Sequence, residues 1–240
     1  MNINQTFEQA IKLHREGKLK EAELLYYSIL EVQPEHLDSN NNLGTILKDN
    51  GRLEDAKKYY EKAIDIKPDF AEAYNNLGCA LKDLTKLNEA EVIFNKAIEF
   101  KPDLAEAHNN LGDALFELGK IDEAIASYKR ALELKPSYAK AYNNLGNALF
   151  KLNEINEAKK SYRKAIELKP DFAEAHNNLG NTLFNTGKTI EAEKSFRKAI
   201  ELKADFAEAY YNLGNIQKIL NKNDQAEANL TIAINLKPGY

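Results

Sequence analysis

Six asparagines stand 34 residues apart, at Asn42, Asn76, Asn110, Asn144, Asn178 and Asn212. A primary amide carries N–H donors and a carbonyl acceptor together. Repeated at one spacing, it can pair with both the N–H and the C=O of an extended polypeptide without reading side chains. The same amides can instead hydrogen-bond between neighbouring repeats and set their stacking. A second column, Phe116, Phe150 and Phe184, keeps the same register where other copies have His14, Lys48, Lys82 and Lys218. Aromatic rings on a binding wall would bury apolar ligand side chains; on a stacking surface they would pack beneath the next repeat. The residue types allow either use in both columns.

Covalent chemistry finds little support. The four histidines are His14, His36, His108 and His176. His108 and His176 share a column with Tyr74, Tyr142 and Tyr210 and read as core substitutes. No nucleophile–base pair, metal-ligand spacing or phosphate loop accompanies them. Cys79 is the lone cysteine, so there is neither a disulfide framework nor a CxxC pair. The expectation is a non-catalytic protein with no metal and no cofactor. A net hydrogen bond contributes roughly 0.5–1.5 kcal/mol, whereas ordering a flexible peptide costs about 2–5 kcal/mol or more. Six amides alone would therefore bind weakly, and selectivity needs pockets such as the phenylalanine column.

These columns belong to a period that runs through the whole chain. The stretch Asn41-Asn42-Leu43-Gly44 returns at Asn75–Gly78, Asn109–Gly112, Asn143–Gly146 and Asn177–Gly180, and a sixth copy reads Tyr211-Asn212-Leu213-Gly214. An alanine recurs at Ala22, Ala56, Ala90, Ala124, Ala158, Ala192 and Ala226, and an aromatic or large apolar residue at Tyr26, Tyr60, Phe94, Tyr128, Tyr162, Phe196 and Leu230. All six prolines fall in one column, which Ala204 breaks. The chain divides into seven copies, 3–36, 37–70, 71–104, 105–138, 139–172, 173–206 and 207–240, read as a single repeat array over 1–240.

Each copy reads as two helices. Apolar residues recur at helical spacing over Ala105 to Leu118 and again over Asp122 to Lys135. Gly17, Gly51, Gly119 and Gly187 mark the end of the first helix, with Asn153, Asn221 and Thr85 in their place elsewhere. Asp69-x-x-Glu72, Asp103-x-x-Glu106, Asp171-x-x-Glu174 and Asp205-x-x-Glu208 fit a capping box. Lysines from Lys67 to Lys237 stand where second helices end and the dipole favours cations. Gly78 and Ala90 are expected on facing helices, letting two backbones approach. No strand pattern occurs.

The pattern A-x-A-Y/H-N-N-L-G followed by G-x-x-x-E-A-x-x-x-Y/F-x-x-A-I/L-x-L-x-P resembles the tetratricopeptide repeat over essentially the whole chain. That resemblance implies an all-α fold, a right-handed superhelical α-solenoid of seven helix-turn-helix units. First helices would line a concave groove that binds peptides or proteins, without catalysis. The doubled asparagines are most similar to the repeat arm of O-GlcNAc transferase, where inner-wall asparagines hold extended polypeptide by its backbone. The first copy, with Leu13-His14-Arg15-Glu16-Gly17 and Glu21-Ala22-Glu23, resembles the start of bacterial tetratricopeptide proteins. Chaperone-binding relatives clamp a C-terminal carboxylate with basic residues. The matching positions here hold Asp38, Glu72, Glu106, Glu174 and Glu208, with only Lys140 basic, so a chaperone tail is not the expected ligand.

The expected wall changes from charged, at Lys48, Asp49, Lys82 and Asp83 beside Cys79, to aromatic. The net charge of −4 offers no basis for nucleic-acid or membrane binding. Without a signal-like or membrane-spanning stretch, the expected location is the cytoplasm. The leading expectation is a scaffold that holds an extended polypeptide in its groove. The alternatives are the substrate-recruiting arm of a larger transferase, of which this chain is a fragment, and a self-associating structural array. The face of Leu230, Ile232, Ala233, Ile234 and Leu236, with Tyr240 in a junction column, is expected to be covered, either by a downstream segment or by another copy of the chain end to end through the C-terminal repeat. The seventh copy, with Gln217, Asn223 and Asn229 at usually apolar or small places, is expected to fray first.

Overall fold

The computed structural model describes residues 2–239; the junction position assigned to Tyr240 lies outside them. The described residues form fourteen helices and no strand. Two compact units divide at Lys120 and Ile121. The first holds α1 (Ile3–Arg15), α2 (Leu19–Val32), α3 (Leu37–Asp49), α4 (Leu53–Ile66), α5 (Ala71–Asp83), α6 (Leu87–Phe100) and α7 (Ala105–Glu117). The second holds α8 (Ile121–Leu134), α9 (Ala139–Lys151), α10 (Ile155–Leu168), α11 (Ala173–Asn185), α12 (Thr189–Leu202), α13 (Ala207–Ile219) and α14 (Asn223–Leu236). Within each unit, consecutive helices pack on one another, and neighbouring first helices also touch.

Left-handed residues close the first helices where the sequence places them. Gly51 has φ +76°, its N–H donates to Lys48 O at 2.9 Å, and the Arg52 N–H reaches back to Leu47 O at 2.8 Å. Asn153 and Asn221 take the same conformation, as does Thr85 with φ 60°. For a β-branched threonine this is strained.

The capping boxes do not form. The residues at the N-caps of α5, α7, α11 and α13 are Phe70, Leu104, Phe172 and Phe206, none with a side-chain cap bond. The aspartates sit one residue too early and are exposed. The cap position goes instead to a half-buried apolar side chain at the repeat junction. Cations reinforce that seat: Lys67 lies over the Phe70 ring at 5.6 Å, Lys169 over Phe172 at 5.2 Å and Lys203 over Phe206 at 5.1 Å. The would-be box glutamates turn to the end of the second helix that follows in the same repeat. Glu72 pairs with Lys101 at 2.7 Å, and this bond holds its carboxyl below the ordinary value. Glu174 lies 3.4 Å from Lys203.

The glycine column makes room for rings, and at Gly214 a Cβ would also lie 3.2 Å from the Ala226 carbonyl oxygen on the facing helix. A Cβ on Gly78 would lie 2.6 Å from Phe94, one on Gly146 2.5 Å from Tyr162, and one on Gly180 2.6 Å from Phe196. Those rings are fully or almost fully buried, as are the alanines of the neighbouring column. In the second unit, Leu183, Ala192, Phe196, Leu213 and Ile216 form one cluster, with Ile200 packed against it. In α14 the apolar Ile232, Ile234 and Leu236 are exposed. Gln217 is completely buried where earlier copies have leucine, its amide 2.7 Å from Asn229 and 3.1 Å from Gln225. Gln217 and Asn229, two of the amides that make the seventh copy atypical, thus bond to each other.

Candidate functional site

The first helices carry the candidate wall, and hydrogen bonds between them set its register. In the first unit the Asn76 Nδ2 donates to Asn41 Oδ1 at 3.0 Å, and the Asn110 Nδ2 to Asn75 Oδ1 at 3.0 Å and Cys79 Sγ at 3.3 Å. In the second, Asn178 donates to both Asn143 Oδ1 and Asn147 Oδ1 at 3.0 Å, and Asn212 to Asn177 Oδ1 at 3.1 Å. Asn42 reaches the Tyr26 hydroxyl at 3.4 Å. Within each unit, the first asparagine of one motif is therefore the acceptor for the second asparagine of the next. The internal use of these amides is present, and it changes what they can offer. Both N–H groups of Asn178 are engaged inside the protein, so the side chain offers a ligand only its oxygen. All six ladder asparagines, including Asn144, are half-buried.

Other wall positions take structural roles that the sequence did not reveal. The Tyr60 hydroxyl donates to Thr45 at 3.3 Å and the Tyr162 hydroxyl to Asn147 Oδ1 at 2.9 Å. Burial pushes both phenols above their ordinary pKa. Opposite Phe94 and Phe196, which have no hydroxyl, stand Cys79 and Asn181. The readable signal was the pairing of tyrosine with Thr45 or Asn147 across the two helices.

His108 and His176 are not core residues. They are half-buried, and their Nε2 atoms lie 3.0 Å from the carbonyl oxygens of Pro102 and Pro170. Asn40, in the same column, donates to Pro34 O at 3.0 Å. A polar residue here ties down the loop between repeats, which tyrosine in that column does not do. His36 caps α3, its Nδ1 accepting the Ser39 N–H at 3.2 Å. Burial lowers the His14 pKa, partly offset by Asp49.

Phe116 and Phe150 are half-buried and Phe184 is exposed. In the first unit the lysines of this column are neutralised, Lys48 by Asp49 at 2.9 Å and Lys82 by Glu117 at 3.5 Å. On α13, Tyr211 and Ile219 are also exposed; sequence reasoning missed both because they break their own columns. Among the described residues no group of histidine, cysteine and carboxylate side chains could hold a metal ion. No described helix is long and apolar enough to cross a membrane.

The helix pairs, their glycine–ring packing and the 34-residue register agree with comparison to known families. A model described as TPR repeat matches residues 44–85, 80–119, 112–153 and 146–187, and tetratricopeptide repeat models match 173–206 and 195–228. The chain belongs to the tetratricopeptide repeat family. Solved structures with the same fold include one titled for the functional characterisation of Pseudomonas aeruginosa pilF. It is 21% identical with a TM-score of 0.77, over 85% of this chain and 93% of that one. YrrB, described as a TPR protein with an unusual peptide-binding site, is 26% identical with a TM-score of 0.59, over 75% of this tetratricopeptide chain and 93% of its own. A MamA structure is 29% identical with a TM-score of 0.60, over 73% and 96%. A search of curated protein sequences gave no match.

Proposed function

We propose that this tetratricopeptide repeat protein is a non-catalytic interaction scaffold whose first-helix walls hold an extended polypeptide. The observation that carries the reading is the row of asparagines in each unit. In Asn110, Asn178 and Asn212 an N–H is turned into the wall by an inter-repeat bond, which orients the carbonyl oxygen; that of Asn110 also accepts from Asn109 at 3.3 Å and keeps a second lone pair. A fixed row of acceptors suits the N–H groups of an extended chain. Because the amides are already held in place, little side-chain entropy is lost on binding. The phenylalanines Phe116, Phe150 and Phe184 add apolar surface on the same helices. The likeness to YrrB, whose description names a peptide-binding site, supports a peptide ligand.

The test replaces Asn110, Asn144 and Asn178 together by alanine and probes the protein on an array of extended peptides. Capture should be lost while the far-ultraviolet helical signal stays nearly intact. Retained capture, or collapse of the helical signal, would leave the row with a stacking role only.

A further inference from the structure

In the second unit the bonds from Asn178 to Asn143 and from Asn212 to Asn177 lock α9, α11 and α13 in a 34-residue register. That register sets Phe150, Phe184 and Lys218 in one row and Lys151, Asn185 and Ile219 in the next. The same two rows in the first unit are Lys48, Lys82, Phe116 and Asp49, Asp83, Glu117, where carboxylates cancel the lysines. The second unit has no carboxylate in either row. Lys151 and Lys218 are exposed and form no ion pair among the described residues. The acids elsewhere on these helices are engaged: Glu174 faces Lys203 at 3.4 Å, and Glu208 accepts from Asn177 at 2.9 Å. The same helices carry apolar surface, with Phe184 38%, Tyr211 37% and Ile219 57% exposed.

Apolar side chains left in water beside uncompensated cations mark a surface suited to a ligand of matching pattern. We propose that the wall of α9, α11 and α13 selects an acidic–apolar peptide segment. Bulky apolar side chains would pack on Phe184, Tyr211 and Ile219, and carboxylates would pair with Lys151 and Lys218. This rests on the peptide-binding reading above and adds which peptides this unit accepts.

The test uses the full chain and fluorescein-labelled decapeptides that alternate phenylalanine or leucine with glutamate. Their counterparts carry glutamine or lysine in place of every glutamate, and binding is followed by anisotropy. The glutamate peptide should bind tightest and the lysine peptide weakest, with the spread shrinking as salt rises. Each exposed lysine–carboxylate pair contributes about a two- to fivefold change. Lys151→Glu with Lys218→Glu should invert the order, whereas Lys82→Glu should leave it. Phe184→Ser should weaken all three peptides by roughly tenfold. Lys151, Phe184 and Lys218 are exposed, so their substitution should not move the helical signal. Equal affinity for glutamate and glutamine peptides, or an order unmoved by the double reversal, overturns the charge assignment. If the asparagine triple variant still abolishes binding in that case, backbone capture stands without it. If no peptide of any charge binds, both readings fall.

Discussion

The two units share one packing scheme and differ in what they show on their first helices. In the first, Lys48 and Lys82 are held by Asp49 and Glu117. In the second, the equivalent rows carry Phe150, Phe184, Ile219 and lysines without a carboxylate partner. The glycines and rings beneath these rows keep the same arrangement, Gly78 against Phe94 in one unit and Gly180 against Phe196 in the other. Buried columns are constrained by volume, because a ring and a Cβ cannot share one space. Wall residues meet that demand only at their base, so their outer ends are free to diverge in charge and shape.

If the packing scheme is common to both units, overpacking it should cost alike in each. Gly78→Leu and Gly180→Leu should each destabilise by about 3 kcal/mol, or more where the backbone cannot shift. Thermal or denaturant unfolding gives the comparison, and a tolerant unit would show that its ring can move aside.

The asparagine bonds should separate the units next. Asn178 makes two internal bonds and Asn76 one. Asn178→Ala should cost about 1–3 kcal/mol, since it removes two bonds and leaves Asn143 short of a donor while Asn147 keeps the Tyr162 hydroxyl, and Asn76→Ala about 0.5–1.5 kcal/mol. Equal losses in denaturant unfolding would remove this distinction.

The left-handed turns predict a gain in one unit only. Thr85→Gly relieves a β-branched residue at φ 60° and should stabilise the first unit by about 1 kcal/mol. Asn153→Gly in the second unit should change stability by only about a few tenths, because asparagine already tolerates this conformation. Midpoint shifts in urea would check both.

The smallest effect is a pH response of the first unit. Burial places the folded-state pKa of His14 below its ordinary value of 6.5. The folded state thus resists the proton more than the unfolded chain does. Above that ordinary value there is no penalty; as pH falls through it toward the lowered folded value, stability is lost. The protection factors of the α1 amides, corrected for the pH dependence of intrinsic exchange, should fall modestly as pH drops from about 7 to 5, and His14→Phe should flatten the response.

The helices and their ends were legible because they are local. The apolar period, the glycine at φ +76° and the proline before each junction act within a few residues. The capping boxes misled because their spacing is local but their competitor is not. Phe70 occupies the cap position of α5, where Lys67 covers its ring. The glycine and alanine columns were legible as facing small residues; that the Phe94 ring fills the space over Gly78 was not. His108 and His176 were placed in the core because tyrosines share their column, yet their Nε2 atoms reach a proline carbonyl six residues back.

The sequence by itself determined a 34-residue repeat, two helices in each copy, and which columns are small, aromatic or amide-bearing. These follow from chain periodicity and backbone preference, which need no neighbour in space. Only the tertiary structure decided that the amide donors point inward to partners 31 and 35 residues away. It likewise decided that Lys82 meets Glu117, whereas Lys151 and Lys218 form no ion pair among the described residues. Both outcomes depend on how one helix is set against another. A hydrogen bond or ion pair forms only within a few ångströms, and no spacing along a single chain supplies that distance.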